Sequence, residues 1–281
     1  MASSIRIRWG ILSTAGIGMA KVNPAIMKSE HSELVAISSR TIEGAKKAAA
    51  ELGIEKAYGT YEEMLADPDI DAVYNPLPNH LHVDLTIAAA KSGKHVLCEK
   101  PIGMNAADAE RLRECPDDIL VSEALMVRYH PQWLRAREII NSGELGDIRA
   151  VSAVFCYYNV DPANVRNIAE IGGGAVMDIG CYPVTAGRFF FGREPERVVA
   201  LLDRDPDFKT DRLGSIIADF GNGKHLTFIV STQAVPLQRF EAIGTKGRLE
   251  IMIPVNSPPD EPTMLTIDHG DRLDRSLSVG K

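Results

Sequence analysis

The sequence predicts a two-part protein of the α/β plus α+β class, with a doubly wound parallel sheet first and an open, mainly antiparallel sheet second. Residues 1–124 alternate short apolar strand runs with helical runs, which is typical of parallel sheets. The later residues contain a long strand, an apolar helix and then several strand runs separated by turns. The length of 281 residues suits about two compact domains.

In the first part, the first predicted strand alternates apolar and polar residues, and the later ones are short runs such as LVAIS at 34–38. The predicted strands cover residues 5–12, 34–38, a short stretch around Tyr58, 71–74, 95–98 and 119–122. Between them, Ala- and Lys-rich runs or runs with an apolar stripe predict helices. These helices cover residues 17–27, 43–52, 61–66, 83–90 and 106–113.

The second part is predicted to start near residues 123–127, which divides the chain into residues 1–124 and 125–281. Residues 130–141 predict a helix, 148–158 a long strand and 176–191 an apolar helix. Five strand runs follow, and one of the turns between them, Gly221-Asn222-Gly223, is a hairpin signal. The runs cover residues 197–202, 215–220, 226–232, 240–244 and 248–253. Residues 254–262 predict a loop, and the polar tail after Asp268 is predicted to be loosely held.

Composition and charge favour an ordinary enzyme-like globular chain and exclude several classes. The net charge of −7 is a poor match for nucleic acid or an anionic membrane. The cysteines at positions 98, 115, 156 and 181 form no CxxC pair, so neither a disulfide framework nor a zinc ribbon is expected. No signal-peptide pattern and no run of about 18 apolar residues is present, which predicts a cytoplasmic protein without a membrane span. The sequence shows no carboxylate that would complete a metal-binding cluster with His80 and His82, so no metal site is expected.

The loop after the first strand predicts a nucleotide site. The three small-residue positions of the dinucleotide pattern G-x-G-x-x-G are held by Ser13, Ala15 and Gly18. Small residues allow a pyrophosphate to approach the backbone, and the N–H groups of the next helix bind it. The residues predicted to contact the cofactor here are Ser13, Thr14, Ala15, Gly16 and Ile17. Taken alone, the loop is equally compatible with a plain turn between a strand and a helix.

The end of the second strand favours NADP over NAD. An acidic residue at this place would bind the ribose 2′-hydroxyl of NAD, but the chain has Ser39 and Arg40. A guanidinium forms bidentate contacts with phosphate, which suits the 2′-phosphate of NADP. The alternative is an exposed arginine at the start of a helix.

Two further strand ends carry candidate residues. The fourth predicted strand enters a rigid proline-containing loop, and the fifth ends in Glu99, Lys100 and Pro101. Ligands of open α/β sheets bind at this edge. The residues predicted to contact the cofactor here are Leu77, Pro78, Asn79, His82, Glu99 and Lys100. By position alone, a solvated lysine at the end of a strand is the better explanation of Lys100.

Four segments occur in an order that resembles the glucose–fructose oxidoreductase, inositol dehydrogenase and rhizopine-catabolism (Gfo/Idh/MocA) family. They are ILSTAGIG at 11–18, NPLPNHLH at 75–82, EKP at 99–101 and GGGAVMDIGCYP at 172–183. The resemblance runs from about residue 5 to about residue 255. It implies a Rossmann-type domain followed by a domain with an open antiparallel sheet. It also implies that Lys100 is the catalytic lysine.

The last of these segments resembles one branch of the family. Many members carry D-x-G-x-H, but this chain has Asp178 and then Tyr182 where the histidine would be. This resembles the branch with NADP-dependent D-xylose dehydrogenase, dimeric dihydrodiol dehydrogenase and glucose–fructose oxidoreductase. The resemblance implies oxidation of sugar or diol hydroxyls with NADP, and it argues against an inositol dehydrogenase.

Alcohol oxidation needs a base, and Tyr182 with Lys100 is the predicted pair. A free tyrosine has a pKa of about 10 and is a poor base near neutral pH. A nearby ammonium stabilises the phenolate and lowers that pKa. Asp178 lies four residues before Tyr182, so a helix places both on one face, where Asp178 can bind a second substrate hydroxyl or orient the lysine. The alternative for Tyr182 is a half-buried core aromatic.

Two arginines are weaker candidates. Arg128 is predicted to contact the cofactor and Arg166 the substrate, beside Asp178 and Tyr182. For each arginine, a structural role is the alternative.

Together these observations predict an NADP-dependent oxidoreductase that transfers a hydride between an aldose hydroxyl and the nicotinamide. The alternatives are a trans-dihydrodiol dehydrogenase and a non-catalytic NADP-binding sensor. A homodimer or higher oligomer is predicted, because only one face of the second sheet can pack on the helix at 176–191. The other face would carry Ile216, Ala218 and Phe220, or the residues that alternate with them.

Overall fold

The computed structural model describes residues 6–270, which form two compact units that divide after Leu125. Of the predicted loose tail after Asp268, residues 271–281 lie outside the described residues. The two units are described separately below.

The first unit contains a six-stranded sheet in which all strands run parallel, so the predicted doubly wound α/β fold is confirmed. The strand order is β3-β2-β1-β4-β5-β6, and the direction of winding reverses between β1 and β4. The strands are β1 (Ile7–Leu12), β2 (Ser32–Ser38), β3 (Lys56–Tyr58), β4 (Ala72–Asn75), β5 (His95–Cys98) and β6 (Val121–Glu123). Ligands of such sheets bind at the carboxyl ends of the strands, beside the reversal point.

Helices connect these strands at nearly the predicted positions. They are α1 (Asn23–Lys28), α2 (Ile42–Leu52), α3 (Tyr61–Leu65), α4 (His82–Lys91) and α5 (Ala106–Glu110). Side-chain caps explain several starts: Thr41, Thr60 and Asn105 each accept an N–H bond from the third residue that follows. Two predicted helices are less regular than expected. The first begins as a wide π-turn at Gly18–Val22, and the last tightens into a 3-10 turn at Arg111–Glu114.

The second unit contains a seven-stranded sheet with the order β13-β12-β11-β7-β10-β9-β8. Only β7 and β10 pair in parallel, which confirms the predicted mainly antiparallel sheet. The strands are β7 (Ile148–Tyr158), β8 (Arg197–Arg204), β9 (Asp211–Asp219), β10 (His225–Ser231), β11 (Gln233–Gly244), β12 (Arg248–Ile251) and β13 (Leu265–Asp268).

Two strands of this sheet differ from prediction. Strand β11 begins at Gln233 rather than Phe240, because an irregular register between Gln233 and Leu237 accommodates Pro236. Strand β13 was not predicted, since its four residues lie in a polar stretch and gain their pairing only from β12.

Three helices pack on one face of the second sheet: α6 (Pro131–Asn141), α7 (Ala175–Ile179) and α8 (Cys181–Phe191). The single predicted helix over 176–191 is broken at Gly180, because Pro183 has no N–H to continue the hydrogen-bond ladder. Gly180 keeps helical backbone angles, so the two helices follow each other with little change of direction.

Trp133 on α6 forms the centre of the core of this unit. Its side chain is fully buried, stacks on Phe190 of α8 and meets Phe240 of β11 edge-on. Its indole N–H donates to the carbonyl of Pro254 at 2.7 Å, which fixes the start of the predicted loop after β12.

The opposite face of the sheet has no helix on it among the described residues. Ile216, Ala218 and Phe220 turned out to face the helices and are buried. The alternating residues of β9 lie on the open face instead, where Leu213 and Ile217 are 40% and 52% exposed.

Candidate functional site

The loop after β1 has the backbone of a dinucleotide-binding turn. Ser13, at the first glycine position of the pattern, has a φ of 129°, a conformation that glycine normally supplies. Its hydroxyl oxygen accepts the N–H of Ala15 at 3.1 Å and so supports this conformation. A Cβ added to Gly16 would meet no atom within 4 Å, so the space in front of the loop is open.

The end of β2 places a hydroxyl and a guanidinium at the start of α2. Ser38 is buried and ties β2 to β1 through a bond to the carbonyl of Ile11. Ser39 lies against the first turn of α2, since a Cβ on Gly44 would stand 3.1 Å from its hydroxyl oxygen. Arg40 is exposed and forms no ion pair with any described residue. A phosphate bound here would meet both side chains and the free N–H groups of α2.

Arg40 also acts on Tyr61, the first residue of α3. Burial raises the pKa of Tyr61, and the charge of Arg40 opposes this rise.

The loop after β4 is held by the buried side chain of Asn75. Its amide group donates to the carbonyl of His82 and to the hydroxyl of Thr86, and its oxygen accepts the N–H of Leu77. Leu77 is itself buried, whereas Pro78 and Asn79 are partly exposed. The loop is thus a fixed part of the sheet edge.

His82 lies behind this loop and not on its surface. It is 1% exposed, and its two ring nitrogens lie within hydrogen-bond distance of the carbonyl oxygens of Leu77 and Pro101. Because both ring nitrogens face these carbonyl oxygens, the ring cannot form a hydrogen bond with the cofactor, in contrast to the contact that the sequence predicted. The residue instead joins two loops of the site.

The end of β5 carries Glu99 and Lys100. The carboxylate of Glu99 accepts the hydroxyl of the buried Tyr74 at 2.7 Å and the N–H of Lys100 at 3.2 Å. Lys100 is partly exposed, and the peptide bond between it and Pro101 is cis. The structure thus brings the predicted residues of four strand ends to one edge of the sheet, on both sides of the reversal between β1 and β4.

The second unit holds a separate polar cluster around Asp178, which is 8% exposed. One carboxylate oxygen, Oδ2, accepts both the hydroxyl of Tyr157 at 2.6 Å and the Nε–H of Arg166 at 3.0 Å. We call Tyr157, Arg166, Asp178 and Tyr182 the Asp178 cluster.

The electrostatics of the cluster keep the protons of Tyr157 and Arg166 in place. Burial raises the pKa of Tyr157, and the Asp178 charge raises it further, so this tyrosine keeps its proton and donates it. Burial lowers the pKa of Arg166, but the Asp178 carboxylate outweighs this and leaves the pKa above its usual value. Tyr182 raises the pKa of Arg166 as well.

Close backbone packing holds the loop that carries Arg166 against the helix that carries Asp178. A Cβ on Gly173 would stand 2.6 Å from the carbonyl oxygen of Arg166 and 2.7 Å from that of Ile168. Only glycine fits at position 173, and the glycines on either side of it have positive φ angles of 88° and 117°. The side chain of Asp211 then accepts the N–H of Val176 and fixes the first turn of α7.

Tyr182 lies in the first turn of α8 and is 6% exposed. Its ring packs against Phe155 at a centroid distance of 5.7 Å. Because Gly180 is helical, Asp178 and Tyr182 remain one turn apart, as the four-residue spacing predicted. A tyrosine that only packs in the core would be buried to the same extent. The electrostatic effect of Tyr182 on Arg166 distinguishes it from such a residue.

Sequence reasoning missed Tyr157. The signal was available, because strict alternation along β7 from Val151 through Phe155 places Tyr157 on the helix-covered face. Nothing in the sequence indicated that Asp178 would lie opposite it. Arg128 lies exposed in a 3-10 turn at Met126–Tyr129, at the start of the second unit, and its cofactor contact stays a prediction.

We also searched the described part of the chain for a metal site, a membrane-spanning helix and disulfide bonds. Residues 6–270 contain no group of three His, Cys, Asp or Glu side chains placed to hold a metal ion. No helix in the same range has the length and apolar character needed to cross a membrane. All four cysteines are free thiols.

Two family models match the chain. Residues 7–118 match the oxidoreductase family with an NAD-binding Rossmann fold, and residues 133–250 match the GFO/IDH/MocA C-terminal domain. D-xylose 1-dehydrogenase (NADP(+)) 2 of Haloferax volcanii is 41% identical over 92% of this chain and 79% of its own length. Trans-1,2-dihydrobenzene-1,2-diol dehydrogenase of Xenopus laevis is 35% identical over 87% of this chain and 74% of its own.

A solved structure has the same fold. It is a 3-ketoreductase from Actinomadura kijaniata in complex with NADP and TDP-benzene. It superposes with a TM-score of 0.88 at 30% identity and covers 95% of this chain and 82% of its own.

Proposed function

Because this chain belongs to the Gfo/Idh/MocA family of oxidoreductases, we propose that it is an NADP-dependent dehydrogenase that acts on a sugar hydroxyl. The observation that carries the proposal is the Asp178 cluster, in which a tyrosine, a carboxylate and an arginine are held together by direct hydrogen bonds. Several relatives of known specificity act on sugars or diols, and the arrangement suits recognition of a polyhydroxylated substrate.

The residues at the strand ends of the first unit fit NADP. The open space before Gly16 and the glycine-like backbone of Ser13 suit a pyrophosphate. Ser39 and Arg40 at the start of α2 suit the 2′-phosphate, and both the xylose dehydrogenase and the 3-ketoreductase use or bind NADP. When bound, the cofactor supplies the hydride acceptor, and the protein supplies orientation and charge.

Replacing Arg40 with alanine is expected to raise the KM for NADP at least about tenfold and to leave the KM for NAD nearly unchanged. A charge-assisted hydrogen bond to phosphate is worth about 1.5–3 kcal/mol, and 1.4 kcal/mol corresponds to tenfold. Steady-state kinetics with both cofactors measures the change. Arg113→Ala, at an exposed arginine after α5, is the matched control and should change neither value. Equal losses with both cofactors would refute the 2′-phosphate role.

For the chemical step, we propose that Tyr182 acts as a phenolate that Lys100 stabilises, and that it becomes a neutral phenol when it accepts the proton of the substrate hydroxyl. Tyr157 and Arg166 orient the Asp178 carboxylate through their hydrogen bonds, so that it can bind a neighbouring substrate hydroxyl. Oxidation of the anomeric hydroxyl of an aldose to a lactone is the favoured reaction. The diol dehydrogenase among the relatives favours a trans-dihydrodiol as the second candidate.

A substrate panel tests these alternatives. Pentoses, hexoses and trans-dihydrodiols are each incubated with the protein and NADP, and the absorbance of NADPH is followed. Turnover of an aldose is expected, and turnover of diols alone would select the second candidate. Tight NADPH binding without turnover of any of them would overturn the dehydrogenase and identify a nicotinamide-binding sensor.

We also propose that the open face of the second sheet is the contact between copies of this chain. The face is apolar along β8 to β10 and at the start of β11, where exposed side chains form one patch. The patch consists of Val199, Leu201, Leu213, Ile217, Ile229 and Leu237. Towards β12 and β13 the face becomes charged, and Arg248 there donates to Glu241 and Asp268. A large exposed apolar patch with a polar rim is typical of an interface, and two-fold symmetry is the commonest arrangement.

Light scattering at micromolar concentration is expected to give at least twice the mass of one chain. Ile217→Lys should lower that mass, because it places a charge in the patch at a residue that is 52% exposed. Leu120→Lys, at a leucine of the first unit that is 73% exposed, is the matched control and should leave the mass unchanged. A mass of one chain for the unmodified protein would refute the proposed contact between copies.

The cytoplasmic location expected from the sequence stays a prediction.

A further inference from the structure

His82 is a buried histidine whose two ring nitrogens both face backbone carbonyl oxygens. It is the first residue of α4 and is 1% exposed. Nδ1 lies 2.7 Å from the carbonyl oxygen of Pro101, and Nε2 lies 2.6 Å from that of Leu77. The ring therefore bridges the loop that follows β4 and the loop that follows β5.

Two carbonyl oxygens can be satisfied only by a ring that donates from both nitrogens. A carbonyl oxygen accepts hydrogen bonds and has no proton to give, whereas a neutral imidazole has one donor and one acceptor nitrogen. In either neutral form, a nitrogen lone pair would face an oxygen lone pair at 2.6 or 2.7 Å. Both distances are also shorter than the roughly 2.9–3.0 Å of neutral N–H···O bonds, as is usual when the donor is charged.

We propose that His82 is a buried imidazolium that donates to Leu77 and Pro101 and thereby holds the Lys100 loop against the cofactor loop. Leu77 directly precedes Pro78 in the predicted cofactor loop, and Pro101 directly follows Lys100. One side chain thus sets the relative position of two groups of residues that lie far apart along the chain. His82 is a positioning residue, since it acts through these loops.

The segments around the two loops carry charged side chains of both signs. Glu99 follows β5 directly, and Glu123 ends β6 and accepts an N–H bond from the loop after β5. On α4 itself, Asp84 is engaged with Arg111 at the surface. Lys100 is the opposing positive charge in the same loop. Burial of a charge is costly unless hydrogen bonds compensate it, and the two carbonyl groups supply those bonds.

The protonation of the ring is tested on the unmodified protein by NMR with ¹⁵N-labelled histidine. The chain has seven histidines, and His80, two residues away, is exposed. At neutral pH, one histidine should carry a proton on both ring nitrogens. That signal should be absent from His82→Gln. A spectrum in which every histidine has an unprotonated ring nitrogen at neutral pH would overturn the imidazolium.

The positioning role is tested by comparing His82→Gln with His80→Gln. Glutamine can donate at one end only, so one carbonyl loses its partner while the side chain stays polar. We expect His82→Gln to weaken NADPH binding or lower kcat at least about tenfold, and His80→Gln to change neither. Values for His82→Gln within about twofold of the unmodified protein would overturn the positioning role.

The positioning role rests on the proposed function, whereas the protonation state does not. A protein that binds NADPH but turns over no sugar or diol would refute the proposed function, and the NMR spectrum and the binding titration would still decide on His82. If His82→Gln fails to fold, the same spectrum of the unmodified protein decides whether the ring carries two protons.

Discussion

Tyr182→Phe is expected to lower kcat by about 10²–10⁴, the usual contribution of a positioned acid–base group, while NADPH binding stays unchanged. Phenylalanine keeps the ring that packs against Phe155 and removes only the hydroxyl. The protein should therefore fold normally and lose the group that receives the substrate proton. Steady-state kinetics with the best substrate of the panel gives kcat, and fluorescence titration gives the NADPH affinity.

Two other tyrosines serve as controls for this experiment. Tyr158→Phe, next in sequence to the cluster but 64% exposed, should leave kcat unchanged. Tyr157→Phe removes one donor to Asp178 and should cost about tenfold, less than the loss of the base itself. Suppose that Tyr182→Phe keeps more than about a third of the kcat of the unmodified protein, far more than the expected loss allows. Tyr182 would then be a packing residue, and Lys100 alone would remain as the acid–base group.

Lys100→Met is expected to lower kcat by as much as Tyr182→Phe or more. Methionine keeps an apolar stem of similar length and removes the ammonium that stabilises the phenolate. Without that charge, a tyrosine base works only at a pH nearer its ordinary pKa of about 10. The rise of kcat with pH should therefore move to higher pH in the variant, which a pH series of kcat measures.

The double variant shows whether the two side chains act as one unit. If they do, Tyr182→Phe combined with Lys100→Met should be little slower than the slower single variant. Losses that multiply would contradict the pair and indicate two independent roles. Circular dichroism of each variant excludes unfolding as the cause.

Much of the fold follows from local patterns in the sequence. The strand at Ile148–Tyr158 and the six strands of the first sheet were predicted because apolar runs bounded by turn residues form strands in almost any context. Strand β13 was missed, and β11 was predicted too short, because both depend on pairing with a neighbour. Helix 176–191 was predicted as one piece, although Pro183 already marked the break.

The composition of the site was also largely present in the sequence. The small residues from Ser13 to Gly18, the Ser39–Arg40 pair and the segments around Lys100 and Tyr182 each imply a chemistry by their residue types. Their common edge in the first sheet follows from the strand order of a doubly wound sheet, which the alternating pattern predicts. The sequence by itself therefore determined the family, the architecture and the residues to test.

Only the tertiary structure decided how these residues are held. Tyr157 and Asp178 are 21 residues apart and Arg166 and Asp178 are 12 apart, so no periodicity of one element connects them. His82 was predicted to contact the cofactor, but its ring lies between two loops that are joined through backbone carbonyls. Backbone carbonyls are the same for every residue type, and a sequence therefore cannot show which of them a side chain will meet. Such contacts form when the elements pack, and packing also set which face of β9 was buried.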